Sequence, residues 1–142
     1  MATLTRDTVR KLGDSPRNFV NMDVIASDII YRGAFVGESS STGDGRPLVG
    51  GDTFVGIADA QADNSSGSAG DITVRLIQSG QVVMPVAGAT SNAMFGDKVY
   101  ANDDNVLTIT ASGSSLMGKI ARWETGTTCV VQFEADMMDS GA

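Results

Sequence analysis

Short apolar runs alternate with stretches of glycine, serine and aspartate along most of the chain. Residues 71–78 show the period-two alternation of a half-buried strand, with one face formed by Ile72, Val74 and Leu76. About eight or nine such runs at close spacing are typical of a β-sandwich or a β-barrel. Apart from one weak turn around residues 5–12, no segment has the periodicity of an amphipathic helix. The pattern therefore predicts an all-β protein.

Three Gly-Asp pairs precede apolar runs, at Gly51-Asp52, Gly70-Asp71 and Gly96-Asp97. Glycine adopts positive φ without a steric penalty, and an aspartate side chain can bond to the backbone two residues further on. The residues that follow are rich in β-branched and aromatic side chains, which suit a pleated, half-buried surface. Each pair therefore predicts a turn that leads into a strand.

The pattern predicts two hairpins. Residues 71–78 and 81–86 would pair about a two-residue turn at Ser79-Gly80, and residues 116–124 and 127–135 about Thr125-Gly126. Pro85 cannot donate a backbone hydrogen bond, so it predicts an edge or a bulge at the end of its strand. The other predicted strands are 29–36, 53–60, 98–101 and 106–110, and the predicted loops are 37–51 and 61–69.

The first 18 residues differ from the rest. They are polar and contain the helix breakers Gly13 and Pro16. We predict an extended N-terminal arm over 1–18, followed by a single β domain over 19–142, which the number and spacing of the strands indicate to be a sandwich or a barrel. No linker that would separate two domains is visible after the arm.

Charge is distributed unevenly along the chain, whose net charge is −7. The acidic body argues against a nucleic-acid partner, because phosphate binding needs a basic surface. The arm is basic, and it is interpreted either as a solvated terminus or as a tether that docks on an acidic surface of a partner. In the second interpretation the binding residues are Arg6, Arg10, Lys11 and Arg17.

A contact between copies of the chain is predicted on the strand that ends near Pro85. Val82, Met84 and Val86 lie on one face of this strand, and methionine adapts to irregular apolar surfaces. If the strand lies at an edge, as Pro85 suggests, these side chains are placed to form an oligomer contact.

The residues offer little for catalysis, so no enzymatic activity and no cofactor are expected. The chain has no histidine and only one cysteine, Cys129, which excludes a Ser-His-Asp triad and the usual zinc sites. Asp23 with Asp28, or Asp59 with Asp63, could serve as a carboxylate pair, but an acidic chain contains such pairs by composition. The oxygen-rich segment 102–105 suits either calcium or a plain polar turn, and the turn is favoured.

No apolar run approaches the roughly 20 residues that span a bilayer, and residues 1–17 lack the apolar region of a secretory signal. Asn64-Ser65-Ser66 matches the glycosylation sequon, but it is interpreted as a loop. The single cysteine, Cys129, cannot form an intrachain disulfide, so we expect synthesis in a reducing compartment, and no membrane partner is expected.

The order of the short motifs resembles that of the tailed-phage capsid cement, or decoration, proteins. The resemblance covers roughly residues 29–135, and the motifs that carry it are Thr53–Ala58, Gly70–Val74, Gly80–Val86, Phe95–Tyr100, Gly118–Ala121 and Val130–Phe133. Residues 1–18 and the loop 37–51 lie outside it.

This resemblance implies a small β-barrel or jelly-roll-like sandwich on the outer surface of a virion. Proteins of this family clamp neighbouring major capsid subunits after the shell expands, and they usually act as dimers or trimers. The expected partners are therefore the major capsid protein and further copies of the chain. The alternative is a receptor- or carbohydrate-binding β-module of a virion, although few aromatic side chains are present for sugar stacking.

Overall fold

The computed structural model describes residues 3–12, 18–90 and 94–135. Strands dominate this part of the chain, as the sequence predicts. They are β1 Lys11–Leu12, β2 Asn18–Asp23, β3 Asp28–Ile30, β4 Phe35–Glu38, β5 Gly45–Pro47, β6 Thr53–Ala58, β7 Ala62–Asn64, β8 Thr73–Ala87, β9 Lys98–Ala101, β10 Leu107–Thr108, β11 Ser115–Thr125 and β12 Thr128–Glu134.

The 15-residue strand β8 is central to the fold, because it pairs with five other strands. Along one edge it pairs in succession with β2, β1 and β10, and along the other with β6 and then β12. The two edges are distinguished by residues that have a partner on each side. Ile77, for example, lies between Phe19 of β2 and Ile57 of β6, and Val82 lies between Leu12 of β1 and Val131 of β12.

The second half of β8 closes a small barrel. From β8 the circuit runs through β12, β11, β9 and β10, and it returns to β8 by the parallel pairing of Leu107 with Val86. The larger hydrophobic core fills this barrel and continues beneath β4 and β6. There the rings of Phe54 and Phe133 meet edge to face, with 6.2 Å between their centroids. The predicted class, an all-β small barrel or sandwich, is confirmed.

The first half of β8 belongs to a second circuit with a smaller core. Here β8 pairs with β6, which pairs with β4, which in turn pairs with β5. A bridge between Val24 and Gly45 then joins β5 to the end of β2, which lies against β8. This core contains Val24, Ile30, Val36 and Leu76, all fully buried. One continuous strand therefore contributes side chains to both cores.

The hairpin predicted for residues 71–86 is wrong, because Ser79-Gly80 is not a turn. β8 passes straight through this dipeptide, and at Ser79 it lies between Asn18 of β2 and Glu134 of β12. Gly80 has a φ of 150°, which a side-chain-bearing residue rarely adopts. β8 leaves the smaller core after Leu76 and enters the larger core at Ile77, three residues before this glycine.

Three further predictions are corrected. Residues 29–36 form no single strand: β3 and β4 lie in different sheets, and Gly33 turns the chain between them with a φ of 88°. The loop predicted for 37–51 contains β5, and the loop predicted for 61–69 contains β7. Both strands are three residues long, which is too short to show a clear alternation in sequence.

The turns at the three Gly-Asp pairs are confirmed. Gly51, Gly70 and Gly96 all have positive φ, and each following aspartate donates its backbone N–H to the carbonyl three residues earlier. The predicted role of the aspartate side chain is wrong in direction. The carboxylates of Asp52 and Asp71 instead accept from the backbone N–H three residues earlier, which closes each turn a second time.

The hairpin of β11 and β12 is confirmed, with Gly126 at a φ of 56° in the turn. Pro85 lies within β8, where Thr128 is its partner in β12. Val86 donates its N–H to Thr127 on the β12 side. Because successive residues alternate, the missing N–H of Pro85 faces the other edge, in the gap between β1 and β10.

Candidate interaction surface

The N-terminal segment 3–12 lies along the body, and we call it the strap. Its first anchor is Asp104, whose Oδ1 accepts hydrogen bonds from the Thr3 hydroxyl at 2.6 Å and from the Leu4 N–H at 3.2 Å. Its second anchor is Asp7, whose Oδ1 accepts from the backbone N–H of Arg32 at 2.9 Å and from the Gln61 amide at 3.2 Å. The strap ends as β1, paired with β8.

The middle of the strap is held at Gly33. The N–H of Thr8 donates to Arg32 O at 2.6 Å, which brings the Thr8 carbonyl against the Cα of Gly33. A Cβ at this glycine would collide with that carbonyl oxygen, so only glycine permits the approach. Arg10 adds a bond from Nε to Gly33 O at 2.9 Å.

The side chain of Arg10 also contacts the polar turn 102–105 and an aromatic ring. Its Nη2 donates to Asn105 Oδ1 at 3.0 Å, and its guanidinium carbon lies 5.2 Å from the centroid of the Phe35 ring. Burial lowers the pKa of Arg10, and the nearby carboxylate of Asp104 acts in the opposite direction. Arg10 therefore joins the strap to the barrel through contacts within the chain.

A carboxylate of the turn 102–105 closes the turn by accepting hydrogen bonds from nearby backbone N–H groups. Asp103 Oδ1 accepts from the N–H groups of Asn105 and Val106, whereas Asp103 Oδ2 is buried without a hydrogen-bond partner among the described residues. Burial raises the pKa of Asp104, and the negative charge of Asp103 adds to this, against the opposing hydrogen bonds from Thr3 and Leu4. Within the described ranges, no group of three or more candidate metal ligands occurs.

The four predicted arm residues have different environments. Arg6 and Lys11 are exposed, whereas Arg10 is partly buried and bonded within the chain. Arg17 lies outside the described residues, as does part of the predicted arm. The structure brings Arg6, Arg10 and Lys11 onto one strap, but it leaves only Arg6 and Lys11 with side chains presented to solvent. Whether the strap binds a shell stays a prediction.

The three predicted oligomer-contact residues are in the barrel core. Val82 and Val86 are fully buried, and Met84 is 8% exposed. The alternation of β8 points these side chains inward, because the strand is closed into a barrel and does not lie on a free edge. Their assignment to a surface contact is corrected accordingly.

A surface that the sequence did not single out lies on β2. Five of its six residues are exposed, including Phe19 and Val20, and within the described part of the chain it pairs only with β8. The guanidinium of Arg75 covers one face of the Phe19 ring at 4.1 Å from its centroid. The apolar residues Phe19, Val20 and Met22 were the available signal, but this run is too short to identify a strand.

Two further candidate residues are structural. Asn64 of the sequon is buried, and its Nδ2 donates to the carbonyls of Val24, Ile25 and Ser68, so the amide is not accessible in the folded chain. Cys129 is buried in the barrel, and burial raises the pKa of its thiol, which disfavours the reactive thiolate. Residues 3–12, 18–90 and 94–135 include no helix that is long and apolar enough to cross a membrane.

Comparison with known proteins adds no family assignment. No protein-family model matches the chain, and no match to a curated protein was found.

Proposed function

We propose that this protein is a structural capsid cement, or decoration, protein that binds the outside of a phage shell and clamps adjacent major capsid subunits. The proposal is supported by the order of motifs over residues 29–135, which resembles that family. It is supported also by the all-β body that the resemblance implies and that the structure has. The protein would be made in the host cytoplasm and would act without catalysis or a cofactor.

The observation that carries the proposal is the basic strap on an acidic body. The strap presents Arg6 and Lys11 to solvent, while the chain from residue 18 onwards carries a net charge of −9. A strap of this kind suits docking on an acidic surface, which attracts its charges and repels the rest of the body. Such an asymmetry would orient the protein on the shell surface.

The architecture suits a component that carries a load between two capsomers. β8 contributes to both hydrophobic cores, so a force applied to one core passes to the other through a single strand and its ladders. A bridging protein adds contacts that must break before capsomers separate. Several modest contacts on one rigid body reinforce each other through effective concentration.

The experiment is co-sedimentation with expanded, undecorated shells made from the major capsid protein of the same phage. We expect saturable binding at a fixed ratio of chain to capsid subunit, which weakens as salt is raised. The double variant Arg6→Glu with Lys11→Glu should bind at least about tenfold more weakly, because two attractive charges become repulsive.

The matched control reverses two exposed charges away from the strap, Lys98→Glu and Lys119→Glu. Its net charge equals that of the strap variant, so a general charge effect would weaken both proteins equally. Selective loss in the strap variant supports the proposed orientation. The absence of any saturable binding by the unmodified protein would contradict the proposed function.

The receptor- or carbohydrate-binding alternative has one feature in its favour, the exposed ring of Phe95, which is 79% accessible. Phenylalanine offers a stacking face but no polar group for orienting a sugar. A glycan array screened with the unmodified protein and with Phe95→Ala separates the two proposals. Hits that disappear in the variant would favour the alternative.

A further inference from the structure

The outer edge of β2 carries backbone groups that face away from β8. At the end of this strand, Val24 donates its N–H to Ile72 on the β8 side, and Ile25 donates to Gly45 on the opposite side. Backbone groups of successive residues alternate between the two edges of a strand. The bonds made by residues 24 and 25 therefore determine which residues of the strand direct their backbone groups to β8 and which direct them to the outer edge.

The same phase continues back through β2, which keeps an unbroken register on β8 from Phe19 to Asp23. Val20 and Met22 bond towards β8, whereas Phe19 and Asn21 direct their N–H and C=O groups to the outer edge. Over the described residues, no other strand pairs with this edge at 18–22. An unpaired edge of this kind is a template for an added strand.

The edge lacks the usual protection against pairing. Residues 18–22 contain no charge and no proline, and the bulge at Asn18 precedes the open positions. Phe19 and Val20 are 46% and 39% exposed, so apolar surface accompanies the free backbone groups. Both features favour association through the strand.

We propose that two copies of this chain associate through antiparallel pairing of their β2 edges, about a two-fold axis at Val20. In this register Phe19 of each copy exchanges backbone hydrogen bonds with the partner's Asn21. The register uses the outward-facing groups of Phe19 and Asn21 and leaves the β8 ladder intact. The inference does not depend on the proposed function.

A second copy is the occupant because the strand is complementary to itself. Across the axis Val20 faces Val20 of the partner subunit as a non-hydrogen-bonded pair, in which side chains lie closest. The uncharged segment 18–22 brings no like charges together, although each chain carries a net charge of −7. The bodies therefore repel while the edges attract, and added salt should strengthen the dimer by screening the repulsion.

The first experiment is sedimentation velocity of the unmodified protein over a wide range of concentration and salt. We expect a reversible species of twice the 14.7 kDa chain mass, with an affinity that rises with salt. A protein that stays monomeric throughout would overturn the inference. A dimer that dissociates as salt is raised would also overturn it, because that behaviour belongs to a charge-paired contact.

The critical variant is Asn21→Pro, compared with Asn21→Ala. Proline removes the N–H that faces outward and leaves the bonds to β8, whereas alanine changes only the side chain. Because the two-fold axis places the substitution in both copies, proline removes two hydrogen bonds from the interface. Proline should therefore weaken the dimer about tenfold or more, and alanine should have little effect. Equal affinities for both variants would exclude this edge.

A cross-linking variant keeps the test independent of folding effects at residue 21. Val20→Cys places two thiols across the axis at a separation that suits a disulfide, so mild oxidation should give a covalent dimer. Ser112→Cys, at an exposed site outside the strand, is the matched control. Equal cross-linking of both variants would show random collision and would contradict the register.

Discussion

The Thr3 hydroxyl lies 2.6 Å from the carboxylate of Asp104, although 101 positions separate the two residues. This contact joins the start of the strap to a buried turn between β9 and β10. It turns a polar terminus into part of the folded surface, and it determines which basic side chains remain available for a partner.

Replacing Thr3 with valine should release the start of the strap. The change keeps the shape of the side chain but removes a hydrogen bond to an ionisable group, worth about 1.5–3 kcal/mol. We expect faster tryptic cleavage after Arg6, while the amides of the barrel keep their hydrogen-exchange protection. Cleavage at the unmodified rate would show that the Thr3 contact does not hold the strap.

Gly33→Ala should displace the middle of the strap. The added Cβ collides with the Thr8 carbonyl, and Gly33 has a φ of 88°, which disfavours alanine by about 1–2 kcal/mol. The Thr8 amide should lose hydrogen-exchange protection, because its bond to Arg32 O breaks.

Gly43→Ala is the matched control, with a φ of 77° and open space where a Cβ would lie. It should reproduce the backbone strain without the collision, and so leave the Thr8 amide protected. Loss of Thr8 protection in both variants would attribute the effect to general destabilisation.

Arg46→Ala should cost about 3 kcal/mol of unfolding free energy. Arg46 makes two bonds to Asp52, at 2.8 and 3.0 Å, and the Asp52 side chain is only 6% exposed, so the variant leaves a nearly buried carboxylate without its cation. Urea unfolding measures the difference.

The control is Arg122→Ala, because the ion pair of Arg122 with Glu124 lies at the surface. Exposed pairs are worth at most about 1 kcal/mol. If the two variants lose the same free energy of unfolding, the Arg46–Asp52 pair stabilises the fold no more than an exposed ion pair does.

Asp104 should make stability depend on pH in the direction opposite to an ordinary salt-bridged carboxylate. Its pKa is raised in the folded chain, so the folded state binds the proton more tightly than the unfolded state. The contribution of this group is fully present below its unfolded pKa and is lost as pH rises through the folded value.

The variant Asp104→Asn removes that titration while retaining an oxygen acceptor for Thr3 and Leu4. The stability of the unmodified protein relative to this variant should therefore be greater near the ordinary aspartate pKa than at neutral pH. Urea unfolding at the two pH values gives the comparison. A relative stability that is constant, or that increases towards neutral pH, would contradict the assignment.

The fold class could be predicted because its signals are local. The three Gly-Asp turns and the alternation within 71–78 depend on a few neighbouring residues, and each is present in the structure. The path of β8 could not be predicted, since Ser79-Gly80 suits a two-residue turn as well as a strand that passes between two cores. Partners distant in sequence decide between these outcomes.

The sequence predicts the candidate interaction surface less well than it predicts the fold class. The basic character of Arg6 and Lys11 is visible in sequence, but the burial of Arg10 depends on Gly33 and Asn105, which are distant along the chain. Val82, Met84 and Val86 alternate as well for an edge strand as for a closed barrel. The closure that buries them requires the β8–β10 pairing, for which no short motif exists.

The proposed function requires binding at repeated positions on the outside of a capsid. Cryo-electron microscopy of expanded shells, imaged with and without the purified chain, detects such binding. We expect added density of this size over the joints between capsomers, with the strap against the shell. Shells that look the same with and without saturating protein would exclude a role in capsid binding.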